Sequence, residues 1–264
     1  MNVRPPGDTR YFASGWDFAE EHARLRMLEE VYDPETTRRL SSIGVTDGWR
    51  CLELGAGAGS IARWLAERVG PAGQVVAADI DTRFLEDLGR PNVEVRRLDI
   101  RSTDLENERY DLVHCRALLI HLTDTDRVGR RMVAALRTGG WLLAEEPDLT
   151  ARVAVTRDHP DAETFDAFVR RTTEWHDSRF GRSLPLLLDR LGLAACGNEV
   201  TSSIVRGGEP RARLYAETRR RVRDKYFAEG VILQEEYERF ERALHDPGFA
   251  FLDCLLVAAW GRRS

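Results

Sequence analysis

The run Glu53-Leu54-Gly55-Ala56-Gly57-Ala58-Gly59-Ser60 is the segment of the chain best suited to hold a ligand. Glycines let a backbone turn sharply and approach a ligand with no side chain in the way. A nicotinamide fingerprint needs Gly or Ala three residues after its second glycine, and here Ser60 stands at that place. Glu53, two residues before the first glycine, would repel a pyrophosphate but suits a cationic ligand. Asp79 lies 20 residues beyond Gly59, where a carboxylate can accept both hydroxyls of a ribose. Asp99, in Leu98-Asp99-Ile100, can take the exocyclic amine of an adenine, with Ile80 and Ile100 offering apolar faces. Together these positions describe a nucleoside with an amino-acid-like cationic tail and no phosphate.

Such residues need a frame of alternating strands and helices, and residues 50–150 supply one. Arg50–Leu54 reads as a strand, followed by the glycine turn and a helix over Ser60–Val69. Gln74–Ala78 and Val93–Arg97 are the second and third strands, with a helical run Thr82–Leu88 between them. Asp111–Cys115 is the fourth, and a helix from about Asp124 to Leu136 ends at Gly139-Gly140 before a fifth strand, Trp141–Ala144. Alternation at this spacing predicts βαβ units, a parallel sheet and right-handed crossovers. Residues 15–43 look helical, and 160–180 form an aromatic-rich helical insertion with Phe165, Phe168, Trp175 and Phe180. A helix near Leu184–Leu191 leads to a sixth strand near Val200–Val205. Two charged helices fill 210–245, and Phe249–Trp260 reads as a last apolar strand.

At these residues the chain resembles the class I S-adenosylmethionine-dependent methyltransferases, in particular the small-molecule, ubiquinone-biosynthesis-like type. The resemblance rests on Leu52–Gly59, Val76–Asp81, Leu98–Ile100, Tyr110–Arg116 and Leu136–Leu142, in order and at the right spacing. It implies an α/β fold with a Rossmann-like, mostly parallel seven-stranded sheet, helices on both faces and an antiparallel last strand. Residues 1–45 would form an N-terminal helical lid. Residues 46–264 would form the methyltransferase domain, with helical insertions near 155–182 and 209–245. S-adenosyl-L-methionine is the implied cofactor and S-adenosyl-L-homocysteine its product. Glu53, Gly55, Ala56 and Gly57 would hold the methionine moiety, Asp79 the ribose, and Asp99 with Ile100 the adenine, beside Ile80 as a further cofactor contact. Cys115 and Arg116 would line the reactive side.

The resemblance stops short of the acceptor. Methyl transfer from a sulfonium is an in-line displacement, so the protein mainly positions the reactants and excludes water. A base is needed only where the acceptor must lose a proton. His121, just after the fourth strand, is a candidate for that role or for a structural one. His176 and Trp175, in the aromatic insertion, are candidates for the acceptor site, although the insertion reads equally well as core packing. His114 lies within a strand and reads as a core histidine. Glu145 and Glu146 end the fifth strand at its carboxyl edge, and Glu146 is taken as an acceptor contact. Tyr11, Trp16 and Arg24 could close over the site. The Asn/Asp-Pro-Pro-Tyr/Phe signature of adenine and glutamine N-methyltransferases is missing after the fourth strand, and no carboxylate cluster suggests a metal.

Composition narrows the partners. The chain has 264 residues, 42% hydrophobic and 31% charged, which suits an ordinary globular protein. No apolar run reaches the roughly 18 residues of a membrane span. A net charge of −5 argues against a nucleic-acid-binding chain. The run Arg211, Arg213, Arg219, Arg220, Arg221 and Arg223 is broken by Glu209, Glu217 and Asp224 and reads as a solvated helix face. Four scattered cysteines fit a reducing compartment, hence the cytoplasm. The expected partner is a small-molecule substrate of apolar or aromatic character, without nucleic acid or membrane. A homodimer is left open. Two rival readings keep the fold: a cofactor-binding protein that catalyses another reaction, and an RNA methyltransferase.

Overall fold

The computed structural model describes residues 17–174 and 178–264. Helix α1 (Phe18–Ile43) starts at Asp17, whose carboxylate accepts the Glu20 N–H at 3.1 Å, and stops at Gly44. Strand and helix then alternate through β1 (Arg50–Leu54), α2 (Ser60–Val69), β2 (Gln74–Asp79), β3 (Val93–Arg97), β4 (Tyr110–Arg116), α3 (Thr125–Ala135) and β5 (Leu136–Asp148). The second half holds β6 (Val153–Ala154), α4 (Ala162–Glu174), α5 (Phe180–Arg190), β7 (Ala194–Thr201) and β8 (Ile204–Arg206). It ends with α6 (Pro210–Arg220), α7 (Arg223–Ala228), α8 (Gln234–His245), β9 (Ala250–Leu252) and β10 (Leu255–Arg262). Seven strands form one sheet in the order β3-β2-β1-β4-β5-β10-β7. Neighbours from β3 to β5 are parallel, and β10 runs antiparallel to both β5 and β7. This is the Rossmann-like sheet that the motifs imply.

Successive strand residues face opposite sides of a sheet, and both sides here are covered. Leu52, Leu54, Val76, Ala78, Val113, Cys115, Leu142 and Ala144 face a core completed by α3 and α5, through Met132, Leu184 and Leu188. Cys51, Val75, Ala77, Leu112 and Leu143 face the other core, closed by Leu40 of α1 and by Ile61, Leu65 and Val69 of α2. Full burial of each such leucine or valine contributes about 1.5–3 kcal/mol. The same alternation puts Glu53, His114 and Glu145 on the α1/α2 side, in adjacent strands.

A second core lies outside this sheet. Strands β6, β9 and β8 form a three-stranded antiparallel sheet in that order. With α4, α6 and α8 they enclose Phe165, Phe168, Tyr215, Phe240 and Phe251, and the Phe168 and Phe240 rings stack at 3.7 Å. Phe165 and Phe168 are 0% and 1% exposed, so the aromatic insertion is core packing at these positions.

Several boundaries differ from the sequence expectation. Thr82–Leu88 is a 3-10 helix. Gly139 and Gly140 do not end α3, which stops at Ala135; they lie inside β5, exchanging backbone hydrogen bonds with Arg263. The sixth-strand segment divides into β7 and β8, and Phe249–Trp260 breaks at Asp253-Cys254, so that its halves serve different sheets. Residues 210–245 hold three helices rather than two.

Candidate active site

A cavity of about 730 Å³ opens at the carboxyl edge of the parallel strands. The glycine turn lines one end of it. Gly55 and Ala56 donate their N–H groups to Ala78 O at 2.8 and 3.1 Å, tying the turn to β2. Gly57 sits at φ +56°, and its N–H donates to Asp79 Oδ2 at 2.9 Å, while Asp79 Oδ1 accepts from the Asp81 N–H at 3.0 Å. Burial pushes the Asp79 carboxyl upward against these backbone donors. Asp99 also lines the cavity and is gripped by Arg101, whose Nε donates at 2.9 Å and Nη2 at 2.7 Å. That grip lowers its carboxyl below the usual range. Ile80 is 44% exposed and Ile100 5%, and both line the cavity. The start of α2 is occupied by a carboxylate of the chain itself: Glu29 accepts the Ser60 N–H at 3.1 Å. A helix N-terminus so filled is not offered to a phosphate.

Gly57→Val would force a branched side chain into left-handed backbone, at a cost of roughly 1–3 kcal/mol. The expected result is a folded protein of lower melting temperature whose glycine turn no longer binds nucleoside. Unchanged affinity in a folded variant would show that the turn does not touch the ligand.

Behind the turn lies a buried charge network. Glu53 stands opposite His114 in the β1/β4 register. Its Oε2 is 2.6 Å from His114 Nδ1, and His114 Nε2 is 3.3 Å from Glu145 Oε2. Glu145 also accepts from Arg39 Nη1 at 2.6 Å and from Thr36 Oγ1 at 2.5 Å, both on α1. Burial alone would keep His114 neutral. The Glu53 charge and hydrogen bonds to both glutamates outweigh it and raise the imidazole to about 9. Burial likewise opposes the Glu145 anion, but His114, Arg116 and Thr36 bring it down to about 2. At neutral pH His114 is therefore a cation donating from both ring nitrogens. His114 is a core residue, as expected, but one that fixes the carboxylate facing the cavity.

Other expected contacts fall elsewhere. Cys115 is fully buried in the α3/α5 core and does not line the cavity, because strand alternation turns it away. Arg116 does line it, held by Thr36 Oγ1 and Asp33 Oδ1, each at 2.8 Å. Glu146 is 0% exposed and is not an acceptor contact. Its carboxylate accepts the N–H groups of Leu118, Leu119 and Ile120 at 3.0, 2.7 and 3.2 Å. Burial still raises it to about 7. Glu146 thereby fixes the 3-10 turn Leu119–His121, which carries His121 to the cavity wall. Arg24 lines the cavity and is ion-paired to Glu21 at 2.7 Å. Tyr11, Trp16, Trp175 and His176 lie outside the described residues. No group of His, Cys, Asp and Glu among the described residues could hold a metal ion.

The far end of the cavity was missed in the sequence. It is built by Tyr32 of α1, by Arg211, Tyr215 and Arg219 of α6, by Tyr226 of α7, and by Arg152 and Asp253 beside the small sheet. Arg152 Nε donates to Asp253 Oδ1 at 2.8 Å, and its guanidinium lies 3.9 Å over the Tyr215 ring. The basic run is thus not a uniformly solvated face: Arg219 is 5% exposed. Its signal was the spacing Arg211, Tyr215, Arg219, which at i, i+4, i+8 puts all three on one helical face.

A sheet of this order, with its last strand antiparallel and a glycine turn over an acidic carboxyl edge, is the arrangement that the resemblance to class I S-adenosylmethionine-dependent methyltransferases implies. Residues 51–140 match a family model described as a methyltransferase domain. Over 180 residues the chain is 31% identical to an uncharacterized 37.1 kDa protein in transposon TN4556 of Streptomyces fradiae, covering 59% of this chain and 51% of that protein. Over 112 residues it is 33% identical to the ubiquinone/menaquinone biosynthesis C-methyltransferase UbiE of Pseudomonas entomophila, covering 39% and 43%. The chain spans about half the length of these curated relatives. Among solved structures, the Haemonchus contortus phosphoethanolamine N-methyltransferase 2, in complex with S-adenosyl-L-methionine, shares the fold at a TM-score of 0.56. That pair is 17% identical, covering 96% of this chain and 60% of the other. YcgJ of Bacillus subtilis shares the fold at a TM-score of 0.51 and 16% identity, covering 92% and 100%.

Proposed function

We propose that the protein transfers a methyl group from S-adenosyl-L-methionine to a small-molecule acceptor with an aromatic or apolar body, in the cytoplasm. One observation carries this reading: a single cavity joins the glycine turn and its two carboxylates to a chamber walled by Tyr32, Tyr215 and Tyr226. The residues present fit the cofactor. Gly57 leaves its cradle without a side chain, Asp79 and Asp99 stand at successive strand ends, and Glu29 fills the place a phosphate would need. When bound, S-adenosylmethionine supplies an already activated methyl group. Glu53, held by His114, provides negative charge toward its cationic end, Asp79 accepts from the ribose, and Asp99 with Ile100 holds the adenine. His121 is the proton acceptor for an acceptor that must lose a proton. The tyrosine chamber orients the acceptor and keeps water out. Four free thiols accord with a reducing compartment, and no described helix is long and apolar enough to cross a membrane.

The test is calorimetric titration with S-adenosylmethionine, followed by mass-spectrometric detection of S-adenosylhomocysteine with a panel of aromatic small molecules. Binding followed by product only with an acceptor present supports the proposal. Cofactor uptake with a different product would favour the rival non-transfer reading, and product formed only with RNA would favour the other.

A further inference from the structure

Resting on the methyl-transfer reading, we infer that the acceptor is an anion, a small molecule whose carboxylate or phosphate is bound by Arg152, Arg211 and Arg219. Three guanidinium groups line the far chamber, and Asp253 is the carboxylate that meets two of them. It accepts from Arg152 Nε at 2.8 Å and lies 3.5 Å from Arg211 Nη1. Glu21, which also lines the cavity, is engaged by Arg24 at 2.7 Å and by Arg221 at 3.4 Å. The chamber therefore carries an excess of positive charge in a chain whose net charge is −5. Arg152 and Arg219 both lie over the Tyr215 ring, at 3.9 and 5.3 Å, so two cations share one aromatic partner.

Arg219 points most directly to a ligand. It is 5% exposed, its Nη1 donates to Tyr226 Oη at 2.7 Å, and its buried Nε makes no hydrogen bond. An unmade bond from a buried charged donor costs more than a neutral one, and a guanidinium edge is shaped to grip two oxygens of a carboxylate or phosphate. An oxyanion at this edge would satisfy Arg219 Nε and relieve the repulsion between the arginines. Tyr32, with Arg211 5.1 Å over its ring, supplies a flat wall for the body of the same molecule.

The test uses paired probes on the full chain saturated with S-adenosylhomocysteine. Benzoate and phenyl phosphate are compared with neutral benzamide, by calorimetry at millimolar concentrations, in the wild type, Arg219→Gln and Arg219→Lys. The expected result is a preference for at least one anion over benzamide on the order of tenfold or more, as for a charged hydrogen bond. It should be lost in Arg219→Gln and partly kept in Arg219→Lys, with circular dichroism confirming that each variant is folded. Whichever anion is preferred identifies the head group. No preference in the wild type, or a preference untouched by a folded Arg219→Gln, overturns the inference. A wild type that takes up S-adenosylmethionine yet shows no anion preference leaves the methyl-transfer reading standing. A wild type that takes up no cofactor overturns that reading, and this inference with it.

Discussion

Replacing His114 with alanine is expected to lower stability by about 3–5 kcal/mol, the scale on which removing one member of a buried ion pair acts. The loss strands Glu53 and Glu145 in the α1/α2 core. Glu145 keeps Arg39 and Thr36, so the larger share of the penalty falls on Glu53. The wild type also carries a pH signature. His114 titrates near 6.5 unfolded and at about 9 folded. Its contribution is therefore complete below about pH 6.5 and is lost as pH rises through 9, by roughly 3 kcal/mol. Glu146 is raised to about 7, so its own loss of stability with rising pH runs through neutrality and is nearly complete by about pH 8. The interval from about pH 8 to 9 thus isolates the histidine. Urea midpoints across it should fall for the wild type and stay flat for His114→Gln. Equal slopes would mean that His114 is not a cation in the folded protein.

Asp79→Ala is expected to weaken S-adenosylmethionine binding by about 1.5–3 kcal/mol, or roughly ten- to more than a hundredfold in Kd. The carboxylate does two jobs. Under the proposed function it accepts from a ribose, and it holds the Gly57 and Asp81 N–H groups. Asp79→Asn keeps the volume but turns one acceptor oxygen into a donor facing those groups, so it should bind almost as poorly. Titration calorimetry on folded variants measures both. Unchanged affinity in either would remove Asp79 from the site.

That the glycine turn, Asp79 and Asp99 would meet in one place was legible in the sequence because these parts are local. A glycine turn follows one strand, and acidic residues end the next two, so spacing alone orders them. The charge network was less legible. His114 was assigned to the core, but its partners depend on which strands are neighbours. Once β1 and β4 are adjacent, register puts Glu53 opposite His114. Glu146 misled because the carboxyl edge of β5 is covered by the turn at 118–121, and a strand end next to such a turn caps it instead of meeting solvent. The arginine chamber was missed for another reason. Its members come from α6 and from residues 152 and 253, and a run of arginines with acidic neighbours has the composition of a solvated helix.

The small sheet makes the arginine and tyrosine chamber depend on contacts distant in sequence. Its strands come from residues 153, 204 and 250 onward, and the central one, β9, is separated from β10 only by Asp253-Cys254. Contacts so distant in sequence incur loop-closure entropy before they return any stabilisation, and they form slowly. The glycine turn and its carboxylates need only residues 50–116 and can form early. Asp253 joins Arg152 only when β9 and β10 have entered their separate sheets. The arginine and tyrosine chamber thus rests on contacts far more distant in sequence than those that build the glycine turn and its carboxylates.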